Sequence, residues 1–104
     1  MNAQFKKGVL ELVILLCVSR KDMYGYELVT EVSAVIDVTE GTIYPLLKRL
    51  TKDGYFQTYL KESTEGPPRK YYHITNEGKE YTDSQRLEWR AFHDKVNNFI
   101  KEFE

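Results

Sequence analysis

Little in this chain staples it together or suggests chemistry. One cysteine, Cys17, among 104 residues excludes an internal disulfide and fits a reducing compartment. Neither sign of charge dominates: 15 Lys and Arg against 16 Asp and Glu give a net charge of -1, which argues against a generally polycationic nucleic-acid binder. Long hydrophobic runs are also missing. Lys6 and Lys7 precede an apolar stretch from Val9 to Val18 in the manner of a signal peptide, but Glu11 interrupts it and no small-residue cleavage site follows. The stretch is too short to span a bilayer, and Leu16 stands before Cys17 where a lipoprotein signal needs a small residue. The expectation is a cytoplasmic protein without a membrane partner. Histidine is scarce, and neither His73 nor His93 has a cysteine or carboxylate at metal-ligand spacing. With no phosphate loop, nucleophile elbow or glycine-rich dinucleotide turn, the sequence predicts no enzyme, no cofactor and no metal.

What is present is local. Residues 40–75 carry six Lys or Arg against four Asp or Glu, whereas both flanking segments are net acidic. At the centre of that basic third lies Thr39 to Gly54. Ile43, Leu46, Leu47 and Leu50 recur at i, i+3, i+4 and i+7, one buried stripe of an amphipathic helix. Thr39 is placed to cap it, Glu40 suits the positive end of the helix dipole, and Gly54 after Asp53 closes it. The opposite face holds Gly41, Thr42, Tyr44, Pro45, Lys48 and Lys52, with Arg49 beside them. Pro45 removes a backbone hydrogen bond and is expected to bend or tighten the first turn. A slim, hydroxyl-bearing leading end with cations behind it suits entry into a DNA major groove. A helix that binds a protein partner is the blander reading of the same face.

The flanks support the groove reading. Before this helix, Tyr24-Gly25-Tyr26-Glu27-Leu28 opens a short helix with Leu28, Val29 and Val32 inward, so the two make a helix-turn-helix. In such a pair the first helix crosses the DNA backbone, and its leading amides near Tyr24 and Gly25 are placed for a phosphate. Tyr26 reads as a packing aromatic. After Gly54, Tyr55 to Lys61 alternates as a strand with Phe56, Thr58 and Leu60 on one side. Lys70 to Ile74 is the return strand, and Glu62 to Pro68 forms the turn between them. This is a wing with Arg69 and Lys70 as its basic shoulder. The fold class is therefore mainly α with a small β-hairpin: a winged helix-turn-helix over residues 1–75 and one long helix over 76–104.

Two features point to a second copy of the chain. The first helix is apolar nearly all round, with Leu10, Val13, Ile14 and Cys17 on one stripe and Leu12, Leu15 and Leu16 elsewhere, so it needs cover on two sides. Leu12 and Leu16 are candidates for a subunit contact. On the last helix, capped by Thr75, residues Trp89, Phe92, Val96, Phe99 and Phe103 are spaced 3, 4, 3 and 4, a coiled-coil seam over two heptads, with Ile100 beside it. An isologous homodimer is expected. Trp89 has two readings: core packed with Tyr81 and Phe92, or one wall of a slot between subunits that takes a flat aromatic molecule.

Taken in order, Tyr24-Gly25-Tyr26-Glu27, then Glu40 to Leu47 with Arg49-Leu50, then Gly66-Pro67-Pro68-Arg69-Lys70-Tyr71-Tyr72 with Ile74-Thr75 and Gly78 resemble the PadR family of bacterial transcriptional regulators. The resemblance covers nearly the whole chain and is to the short subfamily with a single dimerisation helix. It implies a homodimeric repressor that binds double-stranded DNA at a palindromic operator and is released by a small, often aromatic, effector. In drug-responsive members a tryptophan of the last helix lines a cavity between subunits, and Trp89 stands at a similar position after Gly78. The alternative is a winged-helix protein-interaction module that has lost DNA binding, which the net charge of -1 keeps open.

Overall fold

A computed structural model describes residues 3–104, and side chains from Val9 onward; those of Lys6 and Lys7 lie outside it. Seven elements follow in chain order: α1 (Ala3–Arg20), β1 (Met23–Tyr24), α2 (Gly25–Val35), α3 (Glu40–Lys52), β2 (Phe56–Ser63), β3 (Gly66–Ile74) and α4 (Asn76–Lys101). The strands form one antiparallel sheet in the order β1-β3-β2. A single core joins Leu10, Ile14, Leu15 and Val18 of α1, Leu28 and Val32 of α2, Ile43, Leu47 and Leu50 of α3, and Phe56, Tyr72 and Ile74 of the sheet. Truncating a fully buried leucine such as Leu47 to alanine would cost roughly 2–5 kcal/mol.

α3 forms where its apolar stripe predicts, and its closure is specific. Gly54 takes φ +86°, a conformation open to glycine without cost. It lets the Tyr55 amide donate to the Leu50 carbonyl at 3.0 Å and the Gly54 amide to Thr51 at 3.1 Å, the paired bonds of a Schellman motif. The opposite end differs from expectation. Thr39 occupies the N-cap position, but only its backbone carbonyl caps, accepting from the Thr42 amide at 3.0 Å. The helix continues through Pro45, whose missing N–H leaves the Gly41 carbonyl on the exposed face without its intrahelical donor.

The wing is longer than the sequence pattern implies. Most of the segment read as a turn, Glu62 to Pro68, is strand, and the reversal is confined to Thr64 and Glu65. Two prolines are tolerated in β3 because its distal half pairs only with β2, and the register shifts there between Lys61 and Ser63. On β2 only Phe56 reaches the core, while Thr58 and Leu60 are exposed because the hairpin extends beyond the helices. The third strand, β1, pairs Met23 with Tyr72 and Tyr24 with Tyr71.

α4 is anchored at its start and bare beyond. The Thr75 hydroxyl oxygen accepts from the Gly78 amide at 3.0 Å, as a cap should. Gly78 lies where a side chain would collide with the Tyr55 carbonyl, so the helix presses directly on the residue that leads into β2. Tyr81 stacks on Tyr55 at 4.1 Å and donates to Glu11 of α1 at 2.9 Å. Tyr81 therefore belongs to this joint and is not a neighbour of Trp89. From Leu87 to the end every residue is exposed, which gives the chain its 56 Å long dimension.

Candidate nucleic-acid interface

The outward face of α3 carries Gly41, Thr42, Tyr44, Pro45, Lys48 and Lys52, all exposed. Because the inner stripe is anchored through Ile43, Leu47 and Leu50, this face is held rigidly at the surface. Tyr44 does not simply project. Its ring lies against the first turn of α2, and a Cβ built on Gly25 would stand 2.8 Å from both Cε1 and Oη of Tyr44.

The wing holds its cations on aromatic faces. The Arg69 guanidinium sits 4.4 Å from the centre of the Tyr24 ring, and Lys61 Nζ sits 5.3 Å from that of Tyr71. Tyr24, Tyr71 and Tyr59 form one row across the three strands, with neighbouring centroids 5.5 Å apart. Lys70, one residue from Arg69 and so on the other side of the strand, lies 5.9 Å over Tyr72. The basic shoulder is thus two cations on opposite faces of the wing. Tyrosine faces attract cations without cancelling their charge. Among the described residues no carboxylate pairs with Lys48, Lys52, Lys61, Arg69 or Lys70.

At the base of the same row, Asp22 accepts from the Tyr59 hydroxyl at 2.7 Å and meets His73 Nδ1 at 2.8 Å. Burial raises the Asp22 carboxyl, but these two partners outweigh it and leave its pKa below the ordinary value. The contact fastens the wing to the turn before β1.

Several expected site residues lie elsewhere. Arg49 is turned away from the exposed face of α3 and reaches Glu11 at 2.8 Å, because α1 passes that flank of the helix. Tyr24 is half-buried under Arg69, so the α2 N-terminus offers backbone amides beside a covered ring. Tyr26, read as a packing aromatic, is 66% exposed because it leaves α2 on the side away from the core. Leu12 is covered to 9% within its own chain, whereas Leu16 keeps 38% of its surface. Trp89 is 41% exposed, with the Phe92 ring at 6.3 Å and the His93 ring at 5.9 Å. Phe92, Val96, Phe99, Ile100 and Phe103 are exposed along the same helix.

Lys61 joins the wing cations through the strand register, which sets it opposite Arg69. Like charges directly opposite on neighbouring strands repel, and their juxtaposition needs a reason. The pairing is hidden in the sequence because the hairpin register depends on where the turn falls.

Over residues 14–84 the chain matches the transcriptional regulator PadR-like family. It is similar to a PadR-like transcriptional regulator of known crystal structure from Bacillus cereus, with 43% identity, a TM-score of 0.86, and coverage of 94% of this chain and 97% of that one. A PadR family transcription regulator from Clostridium difficile is similar at 33% identity and TM-score 0.80, covering 88% and 98%. "Uncharacterized protein X" of Lysinibacillus sphaericus is 32% identical over a 102-position alignment that covers 94% of this chain and 94% of that one.

Proposed function

We propose, from the premise that this chain belongs to the PadR-like family of transcriptional regulators, that it works as a homodimeric repressor on a palindromic operator. α3 enters the major groove with Thr42, Tyr44 and Pro45 toward base edges, while Lys48 and Lys52 run along the phosphates. The wing flanks them, Arg69 and Lys61 on one face and Lys70 on the other, and the leading amides of α2 at Tyr24 take a further phosphate. The observation that carries this reading is the set of five cations on α3 and the wing that no carboxylate neutralises among the described residues, in a chain of net charge -1.

The dimer rests on the bare length of α4. Trp89, Phe92, Val96, Phe99, Ile100 and Phe103 make an apolar stripe that soluble monomers rarely leave open, and Leu16 of α1 supplies a second contact. Residues 1–75 then form the DNA-binding unit and 76–104 the dimerisation helix, whose first turns also brace the winged body. The protein acts in the cytoplasm; no helix among the described residues is long and apolar enough to cross a membrane.

A small aromatic effector is the second reading, favoured by one observation. Tyr81 is engaged by Tyr55 and Glu11 and so does not pack on Trp89, whose ring keeps 41% of its surface. A flat molecule stacked between the two Trp89 rings of a dimer would alter the spacing of the wings. Selection of duplexes from a random pool tests the main reading. It should yield palindromes bound by two chains; recovery of no preferred sequence, or of one chain per asymmetric site, would overturn it.

A further inference from the structure

We propose that Gly25 is a positioning residue for Tyr44 and thereby a determinant of which bases α3 prefers, an inference that rests on the DNA-reading role given to α3 above. Gly25 opens α2 with an ordinary backbone, since Gly54 is the glycine with positive φ among the described residues. Nothing in its conformation calls for glycine, and alanine is the better helix former. Space explains the choice. A Cβ here would come within 2.8 Å of Tyr44 Cε1, 2.8 Å of its Oη and 3.2 Å of its Cζ, and within 4 Å the three nearest atoms all belong to that one ring. With all three on one side chain, the added methyl meets the Tyr44 ring first and would displace it.

The missing side chain is therefore a seat. An aromatic side chain has only two rotatable torsions, so contact at the far edge of the ring fixes both. The seat decides where the Tyr44 hydroxyl stands above the exposed face of α3, and it ties that position to the first turn of α2. Base readout depends on donors and acceptors held to a fraction of an ångström, so a displaced ring loses discrimination even though every cation stays in place.

The test uses the full-length protein, free and with a duplex selected by the wild type. In the free protein, an NMR contact between the Gly25 α-protons and the Tyr44 ring should be present, and the Tyr44 ring signals should shift in Gly25→Ala while the melting temperature holds or rises. On DNA, Gly25→Ala should narrow the affinity ratio between the selected duplex and a half-site mismatch roughly tenfold. Made in a Tyr44→Ala background, the same substitution should change that ratio no further. Unmoved Tyr44 ring signals, or an equal loss of discrimination in the Tyr44→Ala background, would overturn the proposal. A wild-type protein that selects no sequence while keeping the Gly25–Tyr44 contact would remove the DNA reading and, with it, the specificity part of the inference.

Discussion

Arg49 of α3 and Glu11 of α1 meet at 2.8 Å, and the second oxygen of the same carboxylate accepts the Tyr81 hydroxyl of α4 at 2.9 Å. One carboxylate thereby joins α1, α3 and α4. Arg49, though half-exposed, is thus engaged by Glu11, while its position beside Lys48 makes it look like a phosphate contact.

This separates two adjacent cations. Arg49→Ala should lower stability by up to about 1 kcal/mol, as expected for a half-exposed pair, and leave the salt dependence of DNA binding unchanged. Lys48→Ala should do the reverse, with little change in stability and a salt slope shallower by about one. Chemical denaturation and binding titrations on both variants check the contrast.

The joint also has a pH signature. Burial, then the hydrogen bond to Glu11, pushes the Tyr81 hydroxyl up to about 12, and Tyr59 and Tyr72 are raised as well. A tyrosine held above its ordinary value keeps its proton more tightly when folded, so its contribution is complete below about pH 10 and is lost as pH rises toward 12. Stability should therefore fall over that window, and Tyr81→Phe should make the fall shallower. Denaturant midpoints measured from pH 8 upward test this.

Lys61 and Arg69 stand opposite each other on the wing, each over a tyrosine ring. Lys61→Met keeps the aliphatic stem and removes the charge. It should leave the free protein equally or slightly more stable, by a few tenths of a kcal/mol, because a like-charge pair is relieved. Affinity for all DNA sequences should drop together, with the salt slope shallower by about one. A loss confined to one sequence would place Lys61 against a base.

For the dimer, Phe92→Asp combined with Phe99→Asp should give a folded monomer, since both rings lie beyond the part of α4 that touches the winged body. Sedimentation should report one chain, and affinity for a palindrome should fall by roughly two to four orders of magnitude as the second half-site is lost.

What could be read in advance followed from how local the signal was. The stripe of α3 and the Thr75 cap are repeats or contacts within one helix, and each appears where the residues place it. β1 was not legible because two residues have no period, and it exists only through pairing with β3. The full wing is not legible because Pro67 and Pro68 look like turn residues, whereas β3 has one neighbour there. The surroundings of Arg49, Tyr81 and Leu12 are not legible for a common reason: periodicity gives their positions on a helix but not the elements that pass beside them.

If the cations left unneutralised on α3 and the wing grip DNA phosphates, binding must weaken steeply as salt rises. With Lys48, Lys52, Lys61, Arg69 and Lys70 all engaged in both protomers, log affinity against log salt should fall with a slope of roughly -9, and Arg49→Ala should leave it there. A slope near zero, or one that collapses in Arg49→Ala while surviving removal of Lys61 and Arg69, would contradict the account.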